Sequence, residues 1–257
     1  MHPFSVVIVC KNEAPVIGLT LQSLQGLTDD LVVYDNGSTD GTQEIVKSFS
    51  AKLMEGNWEG FGKTKGRALS LARYDWVLFL DADEAVDPVL YQSLKQWKAP
   101  AIPTVYEMAF RNYFKDKPLR FGEWGTDYHV RLFNRKEVNW DEAPVHEQLI
   151  IPEGTVTERL KGFILHRTLR SVEAYQKKMD AYARLGAEKY YRQGKRSNWL
   201  KRFFSPLFSF LSSYIFKLGF LDGKEGYQSA RILAAYTAKK YKLLQEMYQN
   251  RSYHKSR

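Results

Sequence analysis

Three short apolar runs, "FSVVIVC", "DLVVYD" and "DWVLFLD", recur within the first 81 residues, and each ends in a polar or acidic loop. Strands with no polar face must be covered on both sides, which suits a largely parallel sheet under helices rather than a half-solvated antiparallel one. Between the first two runs, "APVIGLTLQSLQGL" places Val16, Leu19, Thr20, Leu24 and Leu27 near helical spacing, with Pro15 suited to a helix's first turn. "TQEIVKSF", "AKLMEG" and "KTKGRALSLARY" continue the alternation before "DWVLFLD". The expected class is therefore α/β, with a mostly parallel sheet covered by helices.

In an open α/β sheet, ligands collect outside the carboxyl ends of the strands. There the sequence places Lys11-Asn12-Glu13, the loop Asp35 to Gly41, and Asp81-Ala82-Asp83-Glu84. Any one of these could simply be a turn or a cap. Three at the same edge point to a site. Asp81 and Asp83, two apart at a strand end, can converge on one hard cation, with Glu84 left for bonds behind them. Mg²⁺ or Mn²⁺ held by carboxylates usually completes its shell with phosphate oxygens, so the expected ligand is a diphosphate. Lys63, Lys65 and Arg67 could supplement the metal. No Gly-x-x-x-x-Gly-Lys-Ser/Thr loop occurs, which weakens an ATPase or GTPase reading.

The segments "SVVIVCKNEAPVIGLTLQSL", "LVVYDNGSTDGT" and "DWVLFLDADE" resemble the nucleotide-sugar-binding GT-A fold of family 2 glycosyltransferases over about residues 4–90. The shared pattern is Asn-Glu after the first strand, Asp-x-Gly-Ser-x-Asp after the second, and a DxD motif. The resemblance implies that Asp35 hydrogen-bonds the nucleotide base and that Asn12 and Glu13 lie by the nucleoside. It also implies that Asp83 ligates Mg²⁺ or Mn²⁺, with Asp81 near the sugar or ribose. "YHVRLFNRKEVNWDEAPVHEQL" and the tail from "FLSSYIF" to "KKYKLL" are similar to a narrower branch, the bacterial enzymes that glycosylate the lipopolysaccharide inner core.

An inverting sugar transfer needs one carboxylate to take the acceptor hydroxyl's proton. Asp141, Glu142 and Glu147 are the candidates. Glu147 is favoured because the apolar Pro144-Val145 before it could bury it partly and raise its basicity, and the resemblance points to it as well. The other reading is a solvated turn in which His146 and Glu147 merely pair. His166 ends the apolar run "GFILH" and resembles a late histidine that reaches the metal or diphosphate in GT-A enzymes; a hydrogen-bonded structural histidine is the other reading. Arg131 in "HVRLF" either pins an acid or a phosphate or forms a structural ion pair.

Charge divides the chain. Residues 1–154 hold 16 Lys and Arg against 22 Asp and Glu, whereas residues 155–257 hold 22 against 7. In the basic part, Tyr175, Met179, Tyr182, Leu185 and Tyr190 recur at helical spacing. Phe203–Phe216 is then uncharged, flanked by Lys195, Arg196, Lys201, Arg202 and Lys217. Fourteen residues fall short of the roughly 20 that span a bilayer. The stretch suits a helix lying in an anionic membrane surface, or a buried helix contact. No nucleic-acid module accompanies the basic residues, and nucleic acid is not an expected partner. Cys10, the single cysteine, sits in an apolar run, and the N-terminus does not read as a signal peptide, so a cytoplasmic protein peripheral to the inner membrane face is expected.

The domain expectation is a catalytic domain over 1–168 and a basic, amphipathic helical extension over 169–257. The functional expectation is a metal-dependent inverting transfer from a nucleotide-sugar, a UDP-sugar, to a lipid-linked or lipopolysaccharide-type saccharide. The alternatives are a nucleotidyltransferase and a non-catalytic membrane or partner adaptor.

Overall fold

The strand β1 (Ser5–Cys10) is buried along almost its whole length, and so are β2 (Leu31–Asp35) and β4 (Trp76–Asp81). These are the three apolar runs. The computed structural model describes residues 2–125, 127–141 and 148–255. Helix α1 (Ala14–Ser23) follows β1. Helix α2 (Thr42–Lys47), strand β3 (Lys52–Glu55) and helix α3 (Phe61–Ser70) lie between β2 and β4. After β4 come β5 (Glu84–Val86), α4 (Pro88–Gln96), β6 (Thr104–Phe114), β7 (Lys117–Pro118), β8 (Asp127–Asn134), β9 (Asn139–Trp140), β10 (Leu149–Ile150) and β11 (Val156–Leu169). Three helices end the chain: α5 (Val172–Arg192), α6 (Trp199–Leu211) and α7 (Gly223–Lys255).

The main sheet runs in the order β3-β2-β1-β4-β8-β6-β11-β5, with β7 beside β6, and β9 and β10 form a separate pair. Strands β3, β2, β1 and β4 are parallel, as the apolar runs predict, while β8 joins β4 antiparallel. Each buried strand feeds two cores. Val6, Ile8, Leu78 and Leu80 point to one with Ile17, Leu21, Leu90 and Leu94. Val7, Val77 and Phe79 point to the other with Ala68 and Leu69. This alternation follows from the two-residue period of a strand.

Contacts divide the chain into two units, residues 1–111 with 127–167, and residues 112–126 with 168–257. The second unit thus draws in a segment from the middle of the sequence. Its core holds Phe114, Leu119, Leu169, Tyr175, Met179 and Ile232. The buried Asp222 accepts from the backbone N–H groups of Arg120 (3.0 Å) and Phe121 (2.9 Å). Local caps begin its helices: Ser171 accepts from Ala174 N–H (3.0 Å) and Asn198 from Lys201 N–H (2.9 Å).

In the first unit, Asp87 caps α4 from Leu90 N–H at 2.7 Å, with Pro88 in the first turn. Gly162 of β11 has φ +105°, and a Cβ there would lie 2.1 Å from Leu90 N, so glycine lets α4 begin against the strand. No single helix among the described residues is long and apolar enough to cross a membrane.

Candidate active site

The parallel registers align Cys10 with Asp35 and Val9 with Asp81, which brings all three acidic loops to one edge. The first two are knitted together. Asn12, at φ +56°, accepts from Thr39 N–H (2.8 Å), and its own N–H reaches Ser38 Oγ (2.8 Å). Glu13 N–H donates to Thr42 Oγ1 at 2.8 Å, and Ala14 N–H to Asp40 at 3.1 Å. Helix α1 is therefore capped by a residue 26 positions away, not by its own neighbour.

Asp35 is fully buried. Its carboxylate accepts from Gly37 N–H (3.1 Å), Ser38 N–H (2.8 Å), Gln43 Nε2 (2.7 Å) and the Ser38 hydroxyl, and the Cys10 thiol lies at 3.4 Å. Burial works against its ionisation, but the donors from Ser38 and Gln43 outweigh it and lower its pKa. Burial, reinforced by Asp35, pushes the Cys10 thiol up. Asp35 thus shapes the loop.

The Asp81 to Glu84 turn hangs from three supports. Thr20 Oγ1 donates to Ala82 O at 2.8 Å. Arg167 N–H donates to Asp83 O at 2.9 Å. Glu84, 1% exposed, accepts Asp81 N–H at 3.1 Å. Arg131 closes on Glu84 with two bonds, Nε at 2.9 Å and Nη2 at 2.7 Å, and its Nη2 lies 3.6 Å from Asp81.

This reach depends on a local irregularity. Tyr106 pairs with Leu132 and Glu107 with Val130, so Arg131 is the extra residue of a β-bulge in β8. Bulges re-aim side chains beside sites, and this one turns an arginine that is 12% exposed toward the acidic turn.

Lys65 Nζ is 3.4 Å from Asp81 and lies over the Trp140 ring, 4.6 Å from its centre. Burial opposes ionisation of Asp81, yet Lys65, Arg131 and His166 overcome it and draw its pKa down to about 2. Asp83 has a different partner: His166 Nε2 is 3.6 Å from its Oδ2. Pairing of β11 with β5 sets His166 opposite Glu84, and Phe110 contacts the rings of both His166 and His129.

Among the described residues, no three His, Cys, Asp or Glu side chains converge as a metal site. Mg²⁺ and Mn²⁺ do not require one, because they are commonly held by one or two carboxylates plus phosphate oxygens and water. The Asp83–His166 pair fits such an ion, whereas Asp81 already faces two cations. Three buried polar atoms near these strand ends, Tyr34 Oη, Asn36 Oδ1 and Trp140 Nε1, have no hydrogen-bond partner among the described residues. Buried polar atoms rarely stay unpaired, so they befit a polar ligand. Tyr34 Oη occupies space beside Gly56, where a Cβ would lie 1.8 Å away.

A family model described as Glycosyl transferase family 2 matches residues 5–147. The chain belongs to glycosyl transferase family 2. It is 28% identical over 240 residues to the lipopolysaccharide core biosynthesis glycosyltransferase LpsC of Rhizobium meliloti, covering 91% of this chain and 88% of that protein. It is 27% identical over 248 residues to the uncharacterized glycosyltransferase RP128 of Rickettsia prowazekii, covering 91% and 84%. A crystal structure of TarS 1–349 from S. aureus aligns over 96% of this chain and 91% of that one, at 15% identity and a TM-score of 0.43.

This family 2 glycosyltransferase has the α/β fold that its motifs predict. Of the residues singled out from sequence, Lys65, Asp81, Asp83, Arg131 and His166 are gathered around one turn. Asn12, Glu13 and Asp35 are gathered in the adjoining pair of loops. Glu142, His146 and Glu147 lie outside the described residues. Asp141 N–H donates to Gln148 O at 2.9 Å, next to the paired strands β9 and β10. Sequence reasoning missed the aromatic supports Phe110 and Trp140; it anticipated an ion pair for Arg131 but did not name Glu84 as the partner. For the last, a buried acid next to a DxD motif is the one available signal.

Proposed function

We propose that this glycosyltransferase moves a sugar from a UDP-sugar to a lipopolysaccharide-core or other envelope saccharide, with inversion and with Mg²⁺ or Mn²⁺. The observation that supports this best is the division of labour between the two DxD carboxylates: Asp83 pairs with a histidine and Asp81 with two cations. In this reading Asp83 and His166 hold the ion, which neutralises charge on the departing diphosphate when bound. Asp81, kept ionised by Lys65 and Arg131, accepts hydroxyl hydrogen bonds from the donor's ribose or sugar. Asn12, Glu13 and Asp35 build the nucleoside side, with Asp35 setting the loop's shape. Glu147 takes the acceptor's proton as its oxygen attacks the anomeric carbon.

The similarity to LpsC supports the choice of acceptor, and the basic extension supports a peripheral contact with an anionic membrane on the cytoplasmic side. The test is thermal unfolding with UDP, with and without Mn²⁺. At a hundredfold excess over the dissociation constant, UDP with Mn²⁺ should stabilise the protein by about 2.7 kcal/mol. Asp83→Ala should remove the metal dependence. Equal shifts in EDTA and in Mn²⁺ would take the metal out of the reaction.

A further inference from the structure

Helix α6 is apolar on the wrong side for a water-soluble fold. Trp199, Leu200, Phe203, Phe204, Leu207 and Phe208 all face outward, with Trp199 72%, Phe203 67% and Phe208 65% exposed. The opposite face carries Ser205, Pro206 and Ser209, which are half-buried, and Thr237 of α7 donates to Ser209 Oγ at 3.4 Å. An amphipathic helix on a globular protein normally turns its apolar stripe inward. Here Ser205, Pro206 and Ser209 make the internal contact together with Phe210, whose ring meets Tyr227 of α7, and the other aromatic side chains of the helix meet solvent.

The exposed surface does not stop with the helix. The chain passes through a π-helical turn (Ser212–Phe216) and a 3-10 turn (Gly219–Asp222), where Ile215, Phe216, Leu218, Phe220 and Leu221 are also exposed. The helix therefore ends five residues before the uncharged run does, and the turns widen the stripe into a platform. Isolated exposed apolar residues are ordinary, but a contiguous patch of this kind marks an interaction site.

Charge identifies what covers it. From Lys189 to Leu221 the sequence contains seven Lys and Arg and no Asp or Glu. Lys217 is neutralised by Glu123, but Lys195, Arg196, Lys201 and Arg202 border the first turn of α6 without a carboxylate of their own segment. Pairing of this face with the same face of a second copy would bring like charges together. Single-stranded nucleic acid would use the rings, but it gives no role to Leu200, Leu207, Ile215, Leu218 and Leu221. An anionic lipid surface matches both halves of the pattern, apolar side chains entering the acyl boundary and basic ones meeting headgroups.

We propose that the outward face of α6 and the two turns after it form a shallow, interfacial docking site for an anionic membrane. This rests on the peripheral membrane contact proposed above and assigns it to a surface. At 1.5 Å per residue, the 13 residues of α6 span about 20 Å, short of the roughly 30 Å hydrocarbon core. Together with α7 the segment is apolar enough to span, but the two are bent by 71° and α7 carries Arg231, Lys239, Lys240 and Lys242. The helix lies in the interface.

The test is co-sedimentation of the full chain with phosphatidylcholine vesicles, with and without phosphatidylglycerol, at low and at molar salt. Binding should require the anionic lipid and fall with salt. Phe203→Ser with Phe208→Ser should weaken it by about a hundredfold, taking each buried ring as worth about tenfold or more. Lys201→Glu with Arg202→Glu should abolish the preference for anionic vesicles. The altered side chains are exposed, so the urea midpoint should stay near that of the wild type, which reads out folding separately.

Equal binding to both vesicle types, or serine variants that bind as well as the wild type, would overturn the assignment. So would a soluble oligomer that the serine variants dissolve and vesicles do not compete with, which would make the platform a protein interface. The stabilisation by UDP with Mn²⁺ separates the two proposals. If it persists without vesicle binding, only the docking site falls; if vesicles bind but nucleotide does not, only the transfer chemistry does.

Discussion

Removing the Arg131 guanidinium isolates a carboxylate that has almost no access to water. Glu84 is 1% exposed, and Arg131 supplies two of its hydrogen bonds, at 2.7 and 2.9 Å, leaving, among the described residues, Asp81 N–H at 3.1 Å. Breaking a buried ion pair from one side typically costs about 3–5 kcal/mol, because the remaining charge stays desolvated. Against a whole-protein stability of about 5–15 kcal/mol, Arg131→Ala should be among the more damaging substitutions in the first unit. Arg131→Lys should fall between, keeping a charge but losing the fork that grips both oxygens.

The informative comparison is the double variant Glu84→Met with Arg131→Met. Filling the space with apolar side chains removes both charges, so its stability should return close to that of the wild type, and the coupling between the sites should reach several kcal/mol. Urea unfolding followed by tryptophan fluorescence measures this. The double variant should still bind UDP with Mn²⁺ more weakly, since Asp81 has lost one of the two cations that position it. A cost below about 1 kcal/mol for Arg131→Ala, or a double variant as unstable as the two single costs added, would refute the argument.

Glu147→Gln should lower turnover by about 10²–10⁴-fold with little change in donor affinity, while Asp141→Asn and Glu142→Gln cost far less; steady-state kinetics on all three decides the base. Asp35, whose folded pKa lies below the ordinary 3.8, contributes stability that is present above that value and is lost as pH falls through the folded one. Asp35→Asn should therefore lower stability at neutral pH and flatten its acid limb, as urea midpoints between pH 7 and pH 3 would show.

Parallel strands explain why so much of the site is readable in the sequence. Cys10, Asp35 and Asp81 follow unbroken apolar runs, and such runs end at the same edge whenever the strands are parallel. Linear pattern therefore finds the Asp81 turn and the Asn12 and Asp35 loops without knowledge of packing. It does not find pairs made across long separations, such as Glu84 with Arg131, 47 residues apart, or the segment 112–126 that belongs with the C-terminal helices. For the same reason the Asp35 carboxylate reads as a ligand-binding group, while its hydrogen bonds turn inward to its own loop. Periodicity shows that α6 has an apolar stripe, but only the fold, with Phe203 and Phe208 exposed and Ser209 against Thr237, shows that the stripe looks outward.

The bulge in β8 means that this strand is read in two frames. On one side of Arg131, Leu132 and Phe133 alternate between the two cores; on the other, Val130 returns to the core that Phe133 occupies, three positions away instead of two. The arginine sits at the splice. Deleting any single residue from the short stretch at the bulge would restore a regular strand, yet it would move His129 and Val130 to opposite faces or discard the arginine itself. A gain in regular hydrogen bonding would thus erase the cation that orders the acidic turn. Substitution at the neighbouring positions is a matter of size and polarity, but chain length here is an all-or-none specification, so descendants of this sequence should vary in residue type around Arg131 far more freely than in residue count.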